Sequence, residues 1–236
     1  MFAANRNRVI ALTMALLVMF PISVVAAKWQ WSRHLEREAI NALVLENTKQ
    51  PIELTAIAPA GIDPGDEYRP ITLVGNFEPA SQKLLRKQTL NGEPGYFVLT
   101  IFKTESGSSI LVNRGWVAAV GRDVDPQAEL NISSGTTEIS GRVRPLEGTN
   151  ESDPSDLPIG QTNSARTFAP QLNLDVIVEQ TEGQPLAGPQ AVPLPEIQAG
   201  PHLGYVGQWI LIGITSVVVY ISVLRNLRRE HNQSAN

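Results

Sequence analysis

The chain has 236 residues, a formal net charge of −4 and no cysteine. Without thiols there is no disulfide framework, thiolate nucleophile or cysteine metal site, and the mild negative charge argues against a nucleic-acid surface. Hydrophobic residues make up 42 % of the chain and concentrate at its two ends.

Residues 9–27 and 205–224 carry no charge. Each run is about 20 residues, enough to cross a bilayer as a helix. Arg6 and Arg8 precede the first span, and Arg225, Arg228 and Arg229 follow the second. By the positive-inside rule, the tails 1–8 and 225–236 are cytoplasmic (or matrix-facing), and 28–204 lie on the far side. Lys28 and Arg33 oppose this locally and are outweighed by the C-terminal arginines. A cleaved signal peptide is the competing reading, with Val25-Ala26-Ala27 as its small-residue site. The apolar run exceeds the usual signal core of about 7–15 residues, which favours a retained anchor.

The 177 residues from 28 to 204 suffice for one domain with its own core. Residues 28–49 lack Pro and Gly, and Leu35, Ala39, Ala42, Leu43 and Leu45 recur near helical spacing. This predicts an amphipathic helical stalk ended by Pro51. Strand signals follow at 69–76, 82–88, 95–104, 109–117 and 136–143; the third and fourth flank the turn Glu105-Ser106-Gly107-Ser108 as a β-hairpin. Residues 145–165, rich in Pro, Ser, Asn, Asp and Gly, predict a long flexible loop. In 172–179 the run Val176-Ile177-Val178 favours a strand, and 185–201 returns to the second span as an extended, proline-spaced segment. The fold class expected is a membrane-anchored, mainly β protein: two transmembrane helices flank an extracytoplasmic antiparallel β-sandwich or barrel on a helical stalk.

Catalytic signatures are scarce. There is no Gly-x-Ser-x-Gly elbow, phosphate-binding glycine loop or His-Glu-x-x-His, so no enzyme is expected and a membrane-anchored hydrolase is disfavoured. Asp63, Asp66 and Glu67 around Gly65 fit a solvated turn better than a calcium loop. The three histidines are His34, His202 and His231. Outside the first span and Met1 there is no methionine, which disfavours copper delivery. His202, Tyr205 and Trp209 are spaced i, i+3 and i+7 and share a face if the helix begins by residue 202. Trp29, Gln30, Trp31 and Arg33 flank the first span at the same depth. Rings for stacking, an imidazole for iron and Arg33 or Lys28 for propionates would suit a haem. An ordinary aromatic belt at a bilayer surface accounts for the same residues, and both readings stand open.

Four ordered motifs, with the two spans, carry a resemblance. They are Trp29-Gln30-x-x-Arg33; Gly75-Asn76-Phe77 through Leu84-Leu85-Arg86 to residues 92–100 (GEPGYFVLT); residues 111–117 (LVNRGWV); and His202-Leu203-Gly204-Tyr205-x-x-x-Trp209. The chain resembles the Surfeit locus protein 1 family of cytochrome oxidase assembly factors over nearly its whole length. Pro201 departs from the Asn often found there in the family. The resemblance implies an integral protein of a bacterial plasma membrane or the mitochondrial inner membrane. Implied partners are the catalytic subunit of cytochrome oxidase, haem a synthase and membrane lipid. It implies assistance to haem a insertion, with His202 as a haem-iron ligand, Tyr205, Trp209 and Trp29 as walls and Arg33 as a charge partner. The alternative is a scaffold for oxidase subunits that binds no haem. Trp116 is expected in the core and Gly92–Tyr96 in a turn feeding a core strand. Arg114 is either structural or an ion-pair donor to a propionate or partner.

Overall fold

The computed structural model describes residues 2–57, 59–119, 130, 132, 135–146, 157, 160–182 and 188–233. The chain divides into two compact units, one of residues 1–41 with 197–236 and one of residues 42–196.

The first unit is built from two helices, α1 (Phe2–Asn47) as far as Asn41 and α2 (His202–Gln233). Both are long and apolar enough to cross a membrane, which makes the chain compatible with a membrane protein. Residues 9–27 and the charged 28–47 lie in one uninterrupted helix that passes through Pro21. Three contacts set the helices antiparallel. Thr13 Oγ1 meets the Tyr220 hydroxyl at 3.0 Å, Ser23 faces Gly213, and Gln30 Oε1 meets His202 Nδ1 at 2.8 Å. Ser23 is buried, and a Cβ on Gly213 would stand 3.4 Å from its Cβ. Small residues at that level let the two backbones approach closely.

The second unit holds seven strands among its described residues: β1 (Pro70–Phe77), β2 (Lys83–Leu90), β3 (Glu93–Thr104), β4 (Ser109–Ala118), β5 (Thr137–Pro145), β6 (Gln161–Thr162) and β7 (Val176–Glu182). They form one sheet in the order β1-β5-β7-β4-β3-β2-β6. A short ladder, Gly75 to Thr104 through Phe77 to Phe102, also joins β1 to β3 and curls the sheet back on itself. β2 and β6 continue past that seam, so the sheet does not close as a barrel.

Along β1 burial alternates, with Ile71 and Leu73 inward and Thr72 and Val74 outward, the period of a half-buried strand. β3 and β4 are buried on both faces. Phe102, Ile110 and Val112 join Ile71, Leu73, Ile139 and Val178 on one side. Leu99, Ile101 and Leu111 face the other, where a 3₁₀ segment (Ala165–Gln171) lays Phe168 against them. Two covered faces explain why these strands read as near-continuous apolar runs.

Three expectations need correction. The sheet is mixed rather than an antiparallel sandwich or barrel, because β4 pairs parallel with β7 and β2 parallel with β6. Such pairs need long crossovers, and residue patterns within a strand carry no information about a distant partner's direction. Second, the loop expected at 145–165 contains ordered pieces: β5 reaches Pro145, β6 pairs with Leu84 and Leu85, and the 3₁₀ segment starts at Ala165. Positions 147–156, 158 and 159 of that expectation lie outside the described residues. Third, the stalk expected over 28–49 is helical only to Asn47, whose side-chain amide donates to the carbonyls of Gly65 and Glu67.

Candidate functional site

The helix pair places its most specific polar contact where α2 begins. Gly200 takes a left-handed φ of +65° that favours glycine, and Pro201 precedes His202 at the first turn. The Tyr205 amide donates back to the Pro201 carbonyl, closing that turn. His202 is thereby held beside Gln30 of α1, with Nδ1 2.8 Å from the amide oxygen Oε1. A carbonyl oxygen only accepts, so in this pairing Nδ1 carries a proton, and in the neutral ring that puts the lone pair on Nε2. The Nε2 edge borders Gly200, where a Cβ would stand 3.3 Å from Cδ2 and 3.8 Å from Nε2. An imidazole steered through Nδ1 with a bare Nε2 is the form in which histidine ligates a metal.

The other residues expected at this end are placed as follows. The Arg33 guanidinium lies 5.9 Å from the Trp29 ring centroid and pairs with Glu36 at 2.6 Å. Its charge is thus already met one turn along the helix. Trp29 is 54 % exposed and Tyr205 46 % exposed, while Trp209 is half-buried. Neither Trp29 nor Tyr205 takes part in the Gln30–His202 pair. His34 lies one turn beyond Gln30 on the same face, its ring 5.5 Å from that of Trp31. Its Nδ1 is buried with no hydrogen-bond partner among the described residues. Gln30 belongs to the Trp29-Gln30-x-x-Arg33 motif, whose sequence alone gives it no role. Its i, i+4 spacing to His34 is the signal that marks this face.

The remaining motifs lie in the sheet unit. Trp116 on β4 packs its indole onto Gly95 of β3, where any Cβ would overlap the ring and the Val117 carbonyl oxygen. Gly115, at φ +129°, lies against the Gln190 carbonyl, and Trp116 exchanges both backbone hydrogen bonds with Gln190. Two glycines separated in sequence thus make room for one indole and one returning extended segment. Tyr96 packs, partly buried, against Leu84, Val98 and Leu130. Arg114 is buried; its Nη1 donates to Gln82 Oε1 at 2.7 Å and its guanidinium lies 5.4 Å from the Phe77 ring centroid. Burial pushes its pKa below the ordinary range.

The sheet unit also has an open cleft of about 590 Å³ floored by Leu85, Phe97, Leu99 and Ile177. Its polar end carries Arg142 and Glu179, paired at 2.7 Å and both nearly buried. Arg142 Nη2 also donates to the Val192 and Pro193 carbonyls, which ties the proline-spaced segment down. Arg144 joins Glu179 to Glu67 and stacks 4.7 Å from the Tyr68 ring. Burial raises the Tyr68 pKa, and Arg144 partly opposes that shift. The unit contains neither histidine nor cysteine.

A family model described as the SURF1 family matches residues 17–214. The chain is 26 % identical over 228 residues to a SURF1-like protein of Rickettsia felis, a match covering 91 % of this chain and 97 % of that protein. It is 27 % identical over 209 residues to an uncharacterized SURF1-like protein of Mycobacterium tuberculosis, covering 82 % of this chain and 74 % of that protein. A Saccharomyces cerevisiae protein named cytochrome oxidase assembly protein SHY1 is 28 % identical over 120 residues, 49 % of this chain and 31 % of its own length.

Proposed function

The chain belongs to the SURF1 family, and from that premise we propose that it is a membrane-anchored, non-enzymatic assembly factor for cytochrome oxidase. The proposal extends to assisting haem a insertion into the catalytic subunit. In this reading α1 and α2 cross a bacterial plasma membrane or the mitochondrial inner membrane, both termini are cytoplasmic or matrix-facing, and residues 42–196 lie outside. Support for the assembly role comes from the similarity to the yeast protein of that name. Support for haem handling comes from one geometric observation, the Gln30 oxygen held 2.8 Å from His202 Nδ1.

His202 would hold the iron through Nε2, and the lost Cβ at Gly200 keeps that edge clear. Haem would supply an iron able to take an imidazole nitrogen and a largely apolar ring for aromatic side chains to meet. Trp29, Tyr205 and Trp209 would offer rings at the helix ends. Arg33 would exchange Glu36 for a propionate, a swap between two exposed carboxylate partners that costs little. No bond in the haem is made or broken by the chain.

The test is co-expression with the haem a biosynthetic enzymes, purification in detergent and comparison of the visible spectrum with that of His202→Ala. A Soret band lost in the variant supports the reading. A parent protein with no Soret band defeats it and leaves the scaffold role. A reporter inserted at Gly148 tests the topology, and cytoplasmic activity there would overturn the placement of the sheet unit.

A further inference from the structure

We propose that Gln30 is the positioning residue for His202: its side-chain oxygen fixes the Nδ1–H tautomer and leaves Nε2 as the one ring atom free to ligate. The inference rests on the haem-handling reading for its purpose, and on the helix pair alone for its geometry.

Three observations converge on it. The donor–acceptor distance is 2.8 Å, across 172 residues of sequence, so the contact is tertiary. Gly200 has a positive φ and lies against the Nε2 edge, so the turn that starts α2 also keeps a side chain off that edge. Ser23 against Gly213 and Thr13 against Tyr220 lock the helix register that brings residues 30 and 202 together.

A neutral amide has a particular advantage here over the carboxylate that often orients a ligating histidine. It directs the ring without adding a charge to an apolar helix pair, where an uncompensated carboxylate would be costly. It also donates less electron density to the ring than a carboxylate would. Replacing Gln30 by Glu should therefore stabilise ferric over ferrous haem and move the midpoint potential negative. Gln30→Leu should cost about 10–100-fold in haem affinity, the usual effect of losing an orienting partner.

The test uses the full chain in detergent, labelled with ¹⁵N-histidine. Three histidines give a spectrum simple enough to assign with His202→Asn. At a pH where the imidazoles are neutral, His202 in the parent should carry its proton on Nδ1, and Gln30→Leu should move the population to Nε2–H. This readout needs no haem. Ferric haem titration and potentiometry of the parent, Gln30→Leu and Gln30→Glu follow, with Gln30→Glu expected to restore affinity and lower the potential. A parent His202 protonated on Nε2, or a tautomer unchanged in Gln30→Leu, overturns the inference. So does equal haem affinity and potential in all three proteins, which would leave the haem reading standing. A tautomer switch in a parent that binds no haem supports the positioning role while defeating the haem reading.

Discussion

Removing Arg142 should destabilise the sheet unit more than any surface change, and the structure sets the size. Its side chain is 7 % exposed and that of Glu179 10 % exposed. Arg142→Met keeps the length and removes three donations: Nε to Glu179 at 2.7 Å, and Nη2 to the Val192 and Pro193 carbonyls at 2.8 and 2.9 Å. Among the described residues Glu179 then retains the Arg144 contact at 3.4 Å, longer than the usual charge-assisted hydrogen bond. Breaking one side of a buried pair costs about 3–5 kcal/mol. For a domain of this size that is a fall in Tm of roughly 6–20 °C. Thermal unfolding of the full chain in detergent, followed by near-ultraviolet circular dichroism, measures it. The double variant Arg142→Met with Glu179→Leu removes both charges and should lose much less than the two single changes together. A single-variant loss under about 1 kcal/mol, or a double variant equal to the sum, refutes the claim that a desolvated, mutually dependent pair holds the proline-spaced segment.

Ser23→Cys with Gly213→Cys should form a disulfide on mild oxidation in this cysteine-free chain, since the two Cβ positions are 3.4 Å apart, whereas Leu17→Cys with Leu211→Cys on exposed faces should not. Mass spectrometry of joined fragments reads the result, and equal yields from both pairs would remove the proposed helix contact. Gly95→Ala should cost about 3 kcal/mol or more and alter Trp116 emission, because the new methyl overlaps both indole and backbone; an unchanged Tm counts against that packing. Tyr68 has a raised pKa in the folded chain, so its contribution is full below about pH 10 and is lost as pH rises through the folded value. Tyr68→Phe should accordingly flatten the alkaline fall in stability, and an identical slope in urea titrations from pH 9 to pH 11 (chosen as roughly one unit either side of the ordinary value) would contradict the shift.

The strands were legible where a local pattern carries the signal. β1 alternates, β3 and β4 are runs of apolar and β-branched residues around a glycine turn, and Val176-Ile177-Val178 could only favour a strand. What was illegible is non-local. β6 is a two-residue strand, Gln161–Thr162, with nothing apolar to mark it. The parallel partnership of Leu111 with Ile177 joins residues whose sequence neighbourhoods say nothing of each other. Arg142 reads as an outward polar position in β5, and only the Glu179 opposite it in register explains why it is buried. At the helix ends His202 stood out as one of few histidines, while its partner Gln30 did not. A glutamine outside a membrane span is ordinary until a second helix puts an imidazole against it.

The register of the two helices gives that contact its meaning. Polar pairs stand near both ends of the apolar stretch, Thr13 with Tyr220 and Gln30 with His202, with the small pair Ser23 and Gly213 between them. From Thr13 to Gln30 is about 26 Å of helix axis at 1.5 Å per residue, close to the thickness of a hydrocarbon core of about 30 Å. A slip of one residue would turn each helix by about 100° and separate both polar pairs at once. On the membrane reading proposed above, Thr13 and Tyr220 lie within the apolar runs, where a separated hydroxyl would have no water to replace its partner, so that end resists the slip; Gln30 and His202 lie just beyond the runs, and there the lost amide–imidazole contact opposes it. A register pinned at both ends, with an imidazole at one of them, would serve the site proposed above, in which one nitrogen must stay aimed.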